Sequence, residues 1–357
     1  MTPSKKQVDV TRAVVEWYRA THYGTDGDVG MIGTFCAAST VGAFASSREA
    51  LERGDDEELF KLLVTVAMFQ RLRDALVMNI LRGISAPDAA TLTSAKALVK
   101  LTRKSPCPHT RTNEALLGAC DLTKDASGQG CCFAEPALAC HLKQHTVLLK
   151  RYGHFGKMPT SAALAVADGG GGLGRLRRDI FASTRDPLER AQHLAAKLSG
   201  IWRISDKLSA MYLSLVCAPH MGLARPPWHD GIDWSWFVVV DRNVDLFLES
   251  IGYDGHGTYE ARRSFVRELS ARVDLRAVDR AWPAFHPRLV QQAMYLFMSA
   301  SNRRASTTDC MHHRSCMKCL AALARRCPVR SVGPAREQSS SRVGTAGSAE
   351  ASASGGA

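Results

Sequence analysis

Apolar residues recur along this chain in long runs near helical spacing, broken by glycine, proline and charged clusters. Val8, Val10, Val14, Val15 and Trp17 mark a helix over 7–19, closed by the glycine-rich run from Gly24 to Gly33. Residues 34–50 are small and apolar enough for a second. The strongest pattern runs from Glu57 to Gly83. Asp55, Asp56, Glu57 and Glu58 suit the positive end of its dipole, and Leu59 to Phe69 is apolar nearly all round, as in a helix central to a bundle. Gln70, Arg71, Arg73 and Asp74 interrupt that face, which reads as the helix surfacing there. Further helices are expected at 86–104, before Tyr152, at 186–198, after Lys207, at 241–251, 258–273 and 287–300, the last opened by Pro287 in a favoured first-turn position. Only Val238-Val239-Val240-Asp241 is strand-like, so the fold class is all-α.

Three stretches depart from this pattern. Residues 105–140 form a polar, irregular insertion. Cys107, His109, Cys120, Cys131, Cys132, Cys140 and His141 lie in or beside it without a C-x2-C knuckle, so packed structural thiols are expected before a second metal site. The run Gly169 to Gly172 with Gly174 lacks the lysine and hydroxyl of a phosphate-binding loop and reads as a flexible joint. Residues 331–357 are small and polar, cannot bury enough surface to offset chain entropy, and are expected to be disordered.

Charge then narrows the class of partner. The net charge of +12 favours a polyanion, nucleic acid before membrane, because neutralised phosphates release counterions. Between Pro136 and Ala167 there is no acid, while Lys143, Lys150, Arg151 and Lys157 are basic. No apolar run is long enough for a membrane span, and the start lacks the core of a secretory signal. An intracellular location is therefore expected, where clustered cysteines are more often metal ligands than disulfides.

Four of the 11 cysteines, Cys310, Cys316, Cys319 and Cys327, are spaced C-x5-C-x2-C-x7-C. The close pair can chelate one centre, and four thiolates suit tetrahedral zinc or a four-iron cluster. Zinc sites more often pair two short knuckles, and one knuckle with longer arms points to [4Fe-4S], with zinc as the runner-up. Arg303, Arg304, Arg314, Lys318, Arg325, Arg326 and Arg330 surround the cysteines against a single acid, Asp309, a loop suited to phosphates.

The stretch from Leu198 to Tyr253 places Lys207 and Asp241 at the starts of two apolar helices. With the cysteine loop about seventy residues later, the chain resembles a diverged member of the helix-hairpin-helix DNA glycosylase superfamily, of the endonuclease III and adenine glycosylase kind. The resemblance covers roughly residues 5–330. It implies a two-lobed helical fold, with a central lobe near 50–240 and a cluster lobe formed by the N-terminal helices and 241–330. It also implies Asp241 as the acid that stabilises the sugar cation or activates the nucleophile, and Lys207 as a Schiff-base amine. Gln70 falls near the family's DNA-wedging glutamine, and Arg203 and Ser205 occupy the DNA-gripping turn where the family has two glycines. Arg314 and Lys318 would meet the DNA backbone beside a structural cluster. Asp241 also suits a helix N-cap, and Lys207 a surface position. The loop bearing Trp228, Trp234 and Trp236 would either stack on an everted base or cap the core.

The function implied is base-excision repair by a monomer that everts a damaged or mismatched base and cleaves its N-glycosidic bond, with lyase activity if Lys207 attacks. The missing glycines keep open a non-catalytic iron-sulfur nucleic-acid-binding protein on the same scaffold, and four thiolates a zinc protein with a protein partner.

Overall fold

The computed structural model describes residues 2–70, 72–120, 140–143, 156–168, 171–299 and 326–328. Among these the fold is all-α, with no strand. The principal helices are α1 (Lys5–Thr21), α2 (Ile32–Cys36), α3 (Ala38–Val41), α4 (Arg48–Glu52), α5 (Asp56–Met68), α6 (Asp74–Arg82), α7 (Ala86–Leu92), α8 (Ala95–Lys104) and α9 (Asn113–Gly118). They continue with α10 (Lys157–Asp168), α11 (Leu173–Ser183), α12 (Pro187–Ser199), α13 (Asp206–Cys217), α14 (Arg242–Ser250), α15 (Tyr259–Val273) and α16 (Pro287–Met298).

Local chemistry accounts for where these helices start and stop. A capping box opens α1, in which Ser4 accepts from the Gln7 amide and the Gln7 side chain accepts from the Ser4 amide. Asp55 caps α5, and three acids follow in its first turn.

The continuous helix expected over 57–83 is two helices. After Met68 the backbone leaves helical geometry at Phe69, the Gln70 side chain closes the end by donating from Nε2 to the Ala67 carbonyl at 2.6 Å, and α6 begins only at Asp74. The polar cluster there marks a break, because α6 turns away from the α5 axis to pack on α3. The stretch 86–104 is also divided. Ser94 caps the Ala97 amide and starts α8 afresh. Residues 34–50 form no single helix but the short helices α2, α3 and the start of α4, with a bend at Gly42, whose φ of +60° carries the chain against Arg82.

Two further expectations are corrected. Val238 to Val240 pair with no strand; they lie buried, and the Tyr259 hydroxyl donates to the Val238 carbonyl at 2.7 Å. The described end of the glycine run is no free joint, since the Gly174 amide donates to Asp56 at 2.7 Å and a Cβ at Gly172 or Gly174 would strike that carboxylate.

Packing places α1 on α15 and α16, with α14 also against α16. The largely buried α5 touches α10, α11 and α13, while α12 covers α13 and α8 lies along α10. One continuous core joins these helices, with Trp17, Tyr18, Phe60, Tyr212, Phe247 and Phe297 each no more than 1% exposed. Each such side chain contributes about 1.5–3 kcal/mol by leaving water, which fixes the helix ends that meet at the cleft described next.

Candidate nucleic-acid interface and active site

Lys207 stands in the first turn of α13, and Asp241 is the residue immediately before α14. Packing of α14 on α16 and of α13 on α5 brings the two helix starts together, with Lys207 Nζ 3.9 Å from Asp241 Oδ2. The carboxylate is largely buried, at 12% side-chain exposure, and the lysine is 35% exposed. Asp241 also caps its helix, because Oδ1 accepts from the Val244 amide at 3.0 Å. The two oxygens are thus divided. One holds backbone, and the other looks toward an ammonium group.

An open cleft surrounds this pair, lined by Gln70, Arg203, Ile204, Ser205, Leu208 and Arg242. Three cations, Arg203, Lys207 and Arg242, line it with one acid, and Arg242 also pairs with Glu249 outside it at 2.9 Å, which leaves a modest positive balance suited to an anionic ligand. Among the candidates read from the sequence, Gln70, Arg203, Ser205, Lys207 and Asp241 therefore share one wall. Arg314, Lys318, Cys310, Cys316 and Cys319 lie outside the described residues. Cys327 is half-buried against the core. Among the described residues no group of three or more His, Cys, Asp or Glu side chains is placed to hold a metal ion, which includes the described part of the 105–140 insertion.

The turn before α13 explains how the chain does without glycine. Arg203 adopts φ +64°, the left-handed region in which a side chain is disfavoured, and the Ile204 amide closes the turn on the Ile201 carbonyl at 3.0 Å. The Trp202 amide is held by the Ser161 hydroxyl at 2.9 Å, and the Arg203 guanidinium lies 5.2 Å from the Trp202 ring. Ser205 does not turn its hydroxyl onto the following amides, so the first turn of α13 presents its N–H groups without a side-chain cap.

A narrower inner cleft adjoins the mouth at Lys207 and Asp241, and its far wall is α16. The sequence reading missed this wall, which carries Arg288, Gln291, Gln292 and Tyr295. The signal was available, for those polar residues recur at helical spacing within an otherwise apolar segment. Arg288, 3% exposed, donates to Ser214, Gln291, Gln292 and the Gly30 carbonyl. Burial pulls its pKa below the ordinary value, opposed by the charges of Tyr18, Asp28 and Asp241. Behind it, Asp28 accepts from the Tyr18 hydroxyl at 2.8 Å and from Gln292 Nε2 at 3.0 Å, and burial pushes its carboxyl up to about 6. Tyr295 donates to Asp74 at 2.5 Å.

The tryptophan loop caps the core and does not line the cleft. Trp228 is buried edge-on to Tyr212, Trp234 packs on His286 at 4.8 Å, and the Arg263 guanidinium lies 3.4 Å over the Trp236 ring. His286 is fully buried and donates to or accepts nothing from the cleft; desolvation brings its pKa down to about 3, so the ring is neutral. Set beside known proteins, the chain matches no family model, no curated protein and no solved structure.

Proposed function

We propose that this chain is a DNA base-excision glycosylase on a two-lobed helix-hairpin-helix scaffold, of the endonuclease III and adenine glycosylase kind. The observation that carries the reading is the approach of Lys207 to Asp241 at a basic mouth, from helix starts 34 positions apart in the chain. In this reading the cationic mouth and the uncapped N–H groups of α13 hold the backbone phosphate. Gln70, at the break after α5, wedges into the space that an everted base leaves.

Asp241 then faces the anomeric carbon. As the C1′–N bond breaks, its electron pair leaves with the base and positive charge grows on the sugar, which the carboxylate stabilises. Water adds to that cation and passes its proton to the carboxylate. In the lyase variant, Lys207 first loses a proton, its amine attacks C1′, and the base departs with the bonding pair. A four-iron cluster on Cys310, Cys316, Cys319 and Cys327, brought near DNA by Arg314 and Lys318, belongs to the same proposal as a structural element.

Incubation of the purified chain with a panel of damaged duplexes, beside Asp241→Asn, tests the reading. Release by the wild type and loss in the variant are expected. Equal release by both, or none by either, points instead to a non-catalytic DNA-binding protein. Borohydride trapping of a covalent complex that vanishes in Lys207→Met identifies the lyase variant.

A further inference from the structure

A second cavity lies apart from the cleft at Asp241 and shares none of its lining residues. It opens between the start of α5, the length of α8, the second half of α10 and the glycines that lead into α11. Its volume of about 850 Å³ is that of a small-molecule site, against about 30 Å³ for the inner cleft.

The floor is apolar. Phe60, Val99, Val166 and Leu173 present carbon, while Ala163 and Ala167, one turn apart on α10, end at Cβ and leave the space unfilled. Because these side chains offer no hydrogen bond, the enclosed part of a ligand is hydrocarbon. The lining residues of α8 run from Ala95 to Lys104, about 14 Å of helix, which suits an extended chain better than a compact ring.

The rim carries four cations and three acids, in unequal states. Each acid is engaged: Asp55 accepts from the Glu58 amide at 3.0 Å, Asp56 from the Gly174 amide at 2.7 Å, and Glu57 pairs with Lys96 at 3.3 Å. Lys100, Arg103 and Lys104, spaced three and four positions apart on α8, are exposed and take part in no ion pair or side-chain hydrogen bond among the described residues. A ligand head therefore meets three cations without a partner and acids that already have one.

From this apolar floor beneath an unpartnered basic rim, we propose that the cavity binds an anionic amphiphile, an extended alkyl chain ending in a carboxylate or a phosphate. Burial of the chain supplies the affinity, and Lys100, Arg103 and Lys104 select the charge of the head. The site depends neither on DNA nor on Asp241.

Titration calorimetry of the full chain with dodecanoate and with dodecyl phosphate, both below their micelle concentrations, tests the proposal, and the tighter of the two names the head. At least one should bind about tenfold or more tighter than dodecyltrimethylammonium, which has the same chain and the opposite charge, and acetate should give no measurable heat. Lys100→Glu combined with Arg103→Glu reverses charge at two exposed positions and should weaken binding about tenfold or more. Ala167→Trp, at an exposed position of α10, puts a ring into the space and should abolish it, with circular dichroism and thermal melts confirming that both variants fold. No binding of either anion, equal binding of the cationic amphiphile, or affinity unchanged in both variants overturns the proposal.

Discussion

Replacing Asp241 by Asn and, separately, by Ala should divide two functions that share one side chain. Oδ1 caps α14 through the Val244 amide at 3.0 Å, and asparagine keeps an equivalent oxygen for that bond whereas alanine does not. Alanine should therefore cost about 1 kcal/mol of stability, a melting shift of roughly 2 °C in a chain of this size, and asparagine close to nothing through the cap. Both lose the interaction with Lys207, but at 3.9 Å and with the lysine a third exposed it is worth about 1 kcal/mol at most. Activity should not follow stability. If Oδ2 stabilises the sugar cation, both variants should lose base release by roughly 10²- to 10⁴-fold, although Asn melts like the wild type. Calorimetry beside a single-turnover release assay reads the two quantities. An asparagine variant that keeps release within about threefold of wild type would refute the reasoning and leave Asp241 as a helix cap alone.

Four other outcomes are expected. With the Asp28 carboxyl pushed up to about 6, the folded chain holds a proton that the unfolded chain has released, so stability should fall as pH rises from about 4 to 6, by roughly 3 kcal/mol, and stay lower above it; urea titrations across that window should show the slope, and Asp28→Asn should flatten it. Gly42→Ala places a Cβ 2.9 Å from the Arg82 Cα and 3.2 Å from the Leu81 carbonyl oxygen, backbone atoms that cannot swing aside, and should cost about 2–4 kcal/mol in chemical denaturation. Arg203→Gly relieves a left-handed backbone and should raise stability by about 1 kcal/mol while weakening DNA binding through the lost charge, a pairing of opposite signs that thermal melts and salt-dependent binding check together. Anaerobically purified protein should absorb in the visible and lose that colour in Cys319→Ser; a colourless protein containing zinc would overturn the four-iron proposal.

The helical character of the chain was legible because its long helices carry their own signals. Pro187 and Pro287 open α12 and α16, and Asp55 with its neighbouring acids opens α5. Breaks were harder. Ser94 looks like any helical serine until its hydroxyl is seen on the Ala97 amide, and the end of α5 depends on α6 finding α3, a contact no local pattern encodes. Within the cleft, the sequence offered residues with chemistry of their own at helix starts, and the fold brings Lys207, Asp241, Gln70, Arg203 and Ser205 to one wall. Arg288, Gln291 and Gln292 escaped notice because glutamine and arginine on a helix ordinarily mean solvent. Only tertiary packing turns that face inward.

The network behind α16 also says something about how this protein is made. Gln292 meets Asp28 across 264 positions of chain, and Arg288 meets Gly30 across 258. During synthesis the Asp28 segment emerges well before α16, and the carboxylate must remain hydrated until the 264 positions that separate it from Gln292 have followed. Closing so distant a pair is slow compared with forming the helices themselves. The far wall of the inner cleft is thus a late arrival, and a nascent chain or a fragment ending before α16 can be richly helical and still leave Asp28 and Gly30 without these partners.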